Sequence, residues 1–339
     1  MLRNLPVKAL AISIFALLFV LFPAFVHDNY YLHILITISL QLILVTSLFL
    51  IFTTGQMSVA HAAFMAIGAY TSALLVTRLG FNFWLALPVA GIMAAILAAI
   101  VGYPTLRLGG VYFFLVTFAF GQVVVLTIGH VFEDVFGGVV GLTGIPVPNS
   151  MAVPGLPQID FAGGRIPYYY LAVLLMFASV AVIYRIYRSR TGMTFRAIAT
   201  SGILAEHMGI NLLRYKILAF SSASFFAGLV GAYYAHYHYV IVPADFGNQR
   251  SLHIIILMVV GGMVNFAGPM IGTPILTLAY ELLNAYPYYR EILFGVVLLV
   301  VMMFLRGGLV TLPERLAWLV GRLRALRGGK EEVSTGESP

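Results

Sequence analysis

Apolar runs of roughly membrane-crossing length, separated by short polar or glycine-rich breaks, follow one another along almost the whole chain. Taking about twenty apolar residues per crossing, the pattern predicts spans at Ala9–Val26, Tyr31–Thr53, Met57–Thr77, Trp84–Tyr103, Val111–His130, Pro167–Tyr184, Arg214–His238, Leu252–Phe266, Met270–Ala285 and Ile292–Leu305. The fold class this implies is an all-α polytopic membrane protein of about ten transmembrane helices, some short and broken. Residues 1–314 form the transmembrane domain, and 315–339 a polar, disordered tail. Arg3 and Lys8 give the first run the look of a signal peptide, but Phe22-Pro23-Ala24-Phe25 offers no small-residue cleavage site, so it reads as a retained span. Between Leu252 and Ala285 the halves are short, and Gly261, Gly262, Gly268, Pro269, Gly272 and Pro274 crowd them. Two crossings and a pair of broken or re-entrant helices both fit that stretch.

Two spans repeat small residues at every fourth position: Ala86, Ala90, Ala94, Ala98 and Gly102, then Ala219, Ala223, Ala227, Gly231 and Ala235. Each set lies along one helix face and predicts a seam where another backbone approaches closely. The stretch Thr53 to Ser58 interrupts the apolar run, and Ser58 is placed to cap the next helix. Freed amides and a positive helix end there could receive a carboxylate, whereas an ordinary turn facing the cytoplasm is the plainer reading. Phe132 to Ile166 is rich in glycine and proline and reads as an irregular extracytoplasmic loop, a lid or docking site by its length.

One polar segment stands out from the apolar background. Ser189 to Lys216 carries Arg190, Arg196, Arg214 and Lys216, with Arg185 and Arg188 just upstream. Such a cluster belongs on the cytoplasmic side. Within it Met193, Phe195, Ile198, Ile203, Leu204 and Met208 recur at helical spacing, while Gly202 and Gly209 interrupt and Ser201 suits an N-cap. The reading is two short amphipathic helices joined by an elbow, either docked on a partner protein or lying on the lipid surface.

Composition agrees with the pattern: 61% of the 339 residues are hydrophobic and 9% charged, and the mean hydropathy is +0.99. No soluble core could hide that much apolar surface. The formal charge of +7 sits in loops and tail, where it reports orientation and lipid headgroups and not nucleic acid. With both termini inside, only Arg78, Arg165, Arg250 and Arg290 of the nineteen Lys and Arg residues fall outside. Tyr30, Tyr31, Phe83, Trp84, Tyr168, Tyr169, Tyr170, Tyr237, Tyr239, Tyr286, Tyr288 and Tyr289 then form an outer aromatic belt.

Little covalent chemistry is on offer. The absence of cysteine removes thiolate nucleophiles and cysteine metal sites. Gly329-Lys330 is followed by Glu331, so there is no phosphate-binding P-loop. His236 and His238 point to different helix faces with no third ligand at metal spacing, and they read as interfacial residues. Glu281 within an apolar span either faces a wet interior or lies near enough to the surface to meet Arg290.

Gly55-Gln56-Met57-Ser58, His61-Ala62-Ala63-Phe64 and Ile67-Gly68-Ala69-Tyr70 resemble a signature of the high-affinity branched-chain amino-acid ABC transporter permeases. Leu106-Arg107-Leu108, Thr117 to Gly121, Gly141-Leu142-Thr143-Gly144, Ser189 to Gly192, Ala205 to Asn211, Gly261-Gly262 and Gly268-Pro269 continue the likeness in order. Ala60, where that family usually has glycine, the uncharged Ala199 to Ser201, and Val264-Asn265 within the glycine block depart from it.

The resemblance implies an importer permease fold and a non-enzymatic subunit of the cell inner membrane, passing small amino acids of the branched-chain kind (Leu/Ile/Val). It implies a second homologous permease, two ATP-binding subunits that carry the ATP and magnesium, and an extracytoplasmic solute-binding protein. Segment 189–213 becomes the coupling element, with Arg190, Gly192, Arg196, Ala205, Glu206, Gly209 and Asn211 meeting the ATPase. Gly55, Gln56, Ser58, His61 and Glu281 are translocation-path candidates, and Ala94, Ala98, Ala227 and Gly231 helix-packing ones; no cofactor or metal is expected in the chain itself. Alternative readings are a permease for urea or another small amide or sugar, and an ion-coupled secondary transporter, which would be expected to carry more intramembrane carboxylates.

Overall fold

The structure is a computed structural model that describes residues 28–150, 160–161, 163–286, 288–304 and 308–309. The expected span Ala9–Val26 and the tail 315–339 lie outside the described residues. The chain divides into two units, Met1–Ile256 and Leu257–Pro339.

In chain order the helices of the first unit are α1 (Asn29–Phe52), α2 (His61–Leu79), α3 (Phe83–Thr105), α4 (Gly110–Leu126, prolonged by a π-turn Thr127–Val131), α5 (Glu133–Phe136), α6 (Ile166–Arg188), α7 (Arg190–Thr200), α8 (Gly202–His207) and α9 (Leu212–His238), while α10 (Asn248–Gly261) runs on into the second. Among the described residues, α1, α2, α3, α4 with its π-turn, α6 and α9 are long and apolar enough to cross a membrane. Local chemistry sets several starts: Asp28 Oδ1 accepts from the Tyr30 amide at 2.9 Å, Asn82 Oδ1 from Trp84 at 3.1 Å, and Asn211 Oδ1 from Arg214 at 3.1 Å. These satisfy amides that a helix cannot satisfy itself.

Helix α9 is the centre of this unit, packed most extensively against α3 and α2 and also against α1, which in turn packs on α6. Its small-residue face makes this possible. A side chain at Gly228 would lie 2.7 Å from Ala94 Cβ and 2.8 Å from Ala90 O, and one at Gly68 would run into the Gly228 backbone. Backbones that close gain dispersion contact over their whole crossing, the main attraction between helices in lipid.

The glycine-rich stretch after α4 is more ordered than its composition suggests. Leu142–Thr143 (β1) pairs antiparallel with Val240–Ile241 (β2), Ile145 N donates to Tyr239 O at 3.2 Å, and Arg78 donates to Asp134 O at 2.7 Å and Val135 O at 2.8 Å. Asn149 receives the Phe83 amide at 3.2 Å and the Trp84 indole at 3.1 Å. The described part of Phe132–Ile166 is thus tied to α2, α3 and the end of α9, and 151–159 lie outside the described residues. The aromatic belt also needs correcting: Phe83, Tyr168, Tyr169 and Tyr237 are buried, while Tyr30, Tyr31, Tyr170 and Tyr239 are exposed. His236, expected at the interface, is buried too, held between Ser72 Oγ at 3.0 Å and Pro146 O at 2.8 Å.

Among the described residues of the second unit, the α-helices that follow are α11 (Ala267–Leu282), prolonged by a 3-10 turn Leu283–Ala285, and α12 (Arg290–Phe304). At 1.5 Å per residue α10 and α11 are about 21 and 24 Å long, short of a hydrocarbon core of about 30 Å. The broken-helix reading of this stretch is the one that fits. Its glycines let backbones touch: a Cβ at Gly261 would sit 2.8 Å from Gly268 O and 3.3 Å from Gly272 Cα.

Candidate functional site

The polar segment forms the two short helices its pattern predicts. Ser189 Oγ caps α7 by accepting from the Gly192 amide at 3.4 Å, and Ser201 Oγ caps α8 by accepting from Leu204 at 3.3 Å. Extended backbone at Ser201 makes the elbow between them. Gly209, at φ +81°, closes α8, with the Ile210 amide reaching back to Ala205 O at 3.1 Å. That left-handed turn suits glycine, and Asn211 then starts α9.

The apolar residues of this segment divide into two sets. Phe195 and Ile198 are buried, and Phe195 packs with Leu50 of α1, Ala219 and Tyr215 of α9 and Ile186 of α6. Met193, Ile203, Leu204 and Met208 are exposed, Met208 to 82%. One apolar face therefore anchors the elbow to the helix bundle and the other is presented outward. Arg190 and Glu206 are also exposed, whereas Ala205 is buried. Arg196 is used within the chain: it donates to Tyr187 O at 2.9 Å and its guanidinium stands 4.6 Å from the Tyr187 ring centre. Gly192 allows the tight α6–α7 corner, since a side chain there would strike the Ile186 and Tyr187 carbonyls.

The break between α1 and α2 lies against this elbow. Gly55, at φ +76°, places its Cβ direction 3.2 Å from Ala199 Cα of α7. Beyond it Gln56, Ser58, Val59, Ala60 and His61 are all buried, so the break is an interior feature and not an exposed turn. Ser58 is not the cap: it accepts from the Ala60 amide at 3.2 Å, α2 begins at His61, and the Ala62 amide donates to Ser251 Oγ of α10 at 2.9 Å. Thr117 Oγ1 of α4 takes the Val59 amide at 3.1 Å. Hydroxyls from distant segments thus occupy amides at which a carboxylate could have been received. His61 Nε2 meets Ser47 Oγ of α1 at 2.9 Å, and Gln56 Oε1 is buried with no hydrogen-bond partner among the described residues.

Ala94, Ala98, Ala227 and Gly231 are buried, and Gly231 faces Met65 and Ala69 of α2. Glu281 belongs to the second unit. It accepts from Asn284 Nδ2 at 2.6 Å, and Arg290 donates to Asn284 Oδ1 at 2.5 Å. Its link to Arg290 therefore runs through an amide at the end of α11. Sequence reasoning missed Ser251 and Gly228. Ser251 ends the polar run Asn248-Gln249-Arg250-Ser251 just ahead of the expected span, so no local signal set it apart.

Residues 30–305 match the family described as branched-chain amino acid transport system / permease component. The chain is 29% identical over 279 residues to the high-affinity branched-chain amino acid transport system permease protein LivM of Escherichia coli (strain K12), and also 29% identical to that of Salmonella typhimurium. Each match covers 77% of this chain and 65% of the relative, so the chain spans about two thirds of those proteins' length. It is 23% identical over 248 residues to the probable branched-chain amino acid transport permease protein LivH of Methanocaldococcus jannaschii, covering 72% of this chain and 75% of the relative. No solved structure matches it.

Proposed function

The chain belongs to the branched-chain amino acid transport system permease component family, and on that premise we propose that it is the membrane-embedded permease subunit of an ATP-driven importer of branched-chain amino acids. In this reading both termini and the α7–α8 elbow face the cytoplasm, in keeping with the positive-inside distribution of Lys and Arg. A second, homologous permease completes the pathway, two ATP-binding subunits carry the nucleotide and magnesium, and an extracytoplasmic binding protein delivers the solute. This chain performs no covalent step.

The observation that carries the proposal is the elbow. Its inner apolar face, Phe195 and Ile198, is locked into α1, α6 and α9, while Ile203, Leu204 and Met208 are left exposed on a capped, rigid turn. Closure of the ATP-binding subunits moves those exposed residues. The displacement passes through Phe195 into the bundle and through the Gly55–Ala199 approach to the buried α1–α2 break. Shifting the relative stability of two packings of the same helices is what alternating access requires. Reconstituted with its partners in proteoliposomes, the transporter takes up leucine, isoleucine and valine with ATP inside, and uptake survives an uncoupler. Uptake that needs an ion gradient, or that prefers urea or a pentose, would refute the reading.

A further inference from the structure

At the end of the bundle away from the elbow, where α1 and α6 begin and α9 ends, the chain forms an open-sided cavity of about 380 Å³. Its wall includes His33, Arg165, Tyr168, Tyr237, His238 and Tyr239. The volume falls within the roughly 300–1,000 Å³ typical of small-molecule sites. Helices α6 and α9, about 34 and 40 Å long at 1.5 Å per residue, connect it directly to α7 and α8.

We propose that this cavity binds a small amino acid, holding its carboxylate on Arg165 and packing its side chain against the tyrosine wall. The inference rests on the reading of the chain as an amino-acid permease, and it identifies where on this chain the solute is received. Arg165 is the fixed cation of the cavity, and no acidic side chain lines it among the described residues. One of the five N–H donors of a guanidinium is given to Asn29 O at 3.0 Å, which fixes the side chain across the α1–α6 gap. Arg165 is also the N-cap residue of α6, so the positive end of that helix adds to its field. One guanidinium matches one carboxylate.

The remaining wall suits the rest of an amino acid. The Tyr237 hydroxyl is held by His33 Nδ1 at 2.8 Å, and the Tyr168 and Tyr239 hydroxyls meet at 3.3 Å. Phenol oxygens accept as well as donate, and with aromatic faces they can receive an ammonium. The aromatic bodies are apolar enough for a branched aliphatic side chain.

The test uses the full-length protein in lipid nanodiscs. Trp84 stands edge-on to Phe161 of the cavity wall, with ring centres 6.0 Å apart, so its emission reports occupancy once Trp318→Phe removes the second tryptophan. Leucine should change the emission saturably, and leucinamide, which lacks the carboxylate, should bind about 10- to 100-fold more weakly. Arg165→Ala should weaken leucine by a similar factor and abolish the discrimination, with Arg165→Lys between the two. Equal affinity for leucine and leucinamide, or leucine binding unchanged in Arg165→Ala, overturns the proposal. Should Arg165→Ala fail to fold, the comparison of the two ligands on the otherwise native chain decides. ATP-driven leucine uptake with an unchanged maximal rate in Arg165→Ala sinks the cavity alone. Leucine binding through Arg165 in a chain that imports no branched-chain amino acid sinks the transport reading alone.

Discussion

Gly228→Ala adds one methyl group at the crossing of α3 and α9. The new Cβ would lie 2.7 Å from Ala94 Cβ, 2.8 Å from Ala90 O and 3.1 Å from Gly91 Cα. Carbon atoms rest at about 3.5–4.0 Å, so α3 and α9 must part by about 1 Å. None of the three atoms can rotate aside, because each is backbone or the first side-chain carbon. Overpacking of this kind costs about 1–3 kcal/mol. Replacing a mid-helix glycine by alanine returns about 0.5–1 kcal/mol, leaving roughly 1 kcal/mol of destabilisation at the middle of the two ranges. Gly295 of α12 is the control, since among the described residues nothing beyond its own stretch of helix lies within 4 Å of its Cβ position and only the favourable part applies. In a thermal melt of detergent-purified protein, Gly228→Ala should melt several degrees below the native chain and Gly295→Ala at or slightly above it. A Gly228→Ala variant that melts and transports like the native chain would refute the claim that this crossing is filled to contact.

Three further outcomes follow from the same geometry. Gly209→Ala forces a side chain into left-handed backbone at about 1–2 kcal/mol; it should loosen the α8–α9 junction, raising protease cleavage near residue 209 and lowering transport per ATP hydrolysed. Ser47→Ala leaves buried His61 Nε2 without the hydroxyl that meets it at 2.9 Å, so it should destabilise by about 1–3 kcal/mol in a melt, and Ser47→Thr should restore part of the loss. Glu281→Gln keeps an acceptor for Asn284 Nδ2 and should leave leucine uptake within about twofold of native, as a charge outside the solute's path predicts; loss of uptake would place Glu281 in that path.

What was legible in the sequence was local. Twenty-residue apolar runs gave α1, α2, α3, α4, α6 and α9, and Ser201 marked the start of α8 because a cap is read from its immediate neighbours, whereas the cap Ser189 makes on α7 emerged only from the structure. The crowded glycines at 261–272 marked where helices would be short. The buried α1–α2 break was not legible, since its satisfying hydroxyls come from Ser251, 189 residues from Ala62, and Thr117, 58 residues from Val59. Burial of Tyr168, Tyr169 and Tyr237 was hidden for a related reason: an aromatic at a span end suits the lipid interface and the protein interior equally, and only the neighbouring helices decide. Spacing marked a ridge on α9 but could not say that Gly228, one residue off it, faces α3.

The central claim, that an ATP-driven subunit grips the elbow, is tested most directly by disulfide trapping. The native chain has no cysteine, and the exposed Leu204 and Met208 are the positions to replace, whereas Ala205 is 5% exposed and out of reach. Leu204→Cys and Met208→Cys, paired with a cysteine in the groove of the ATP-binding subunit, should cross-link in the assembled, transport-active complex, with a yield that changes when nucleotide closes the ATPase dimer. Contradiction would be cysteines at both positions that react freely with a polar thiol reagent, with or without the ATPase, and never cross-link to it while transport continues.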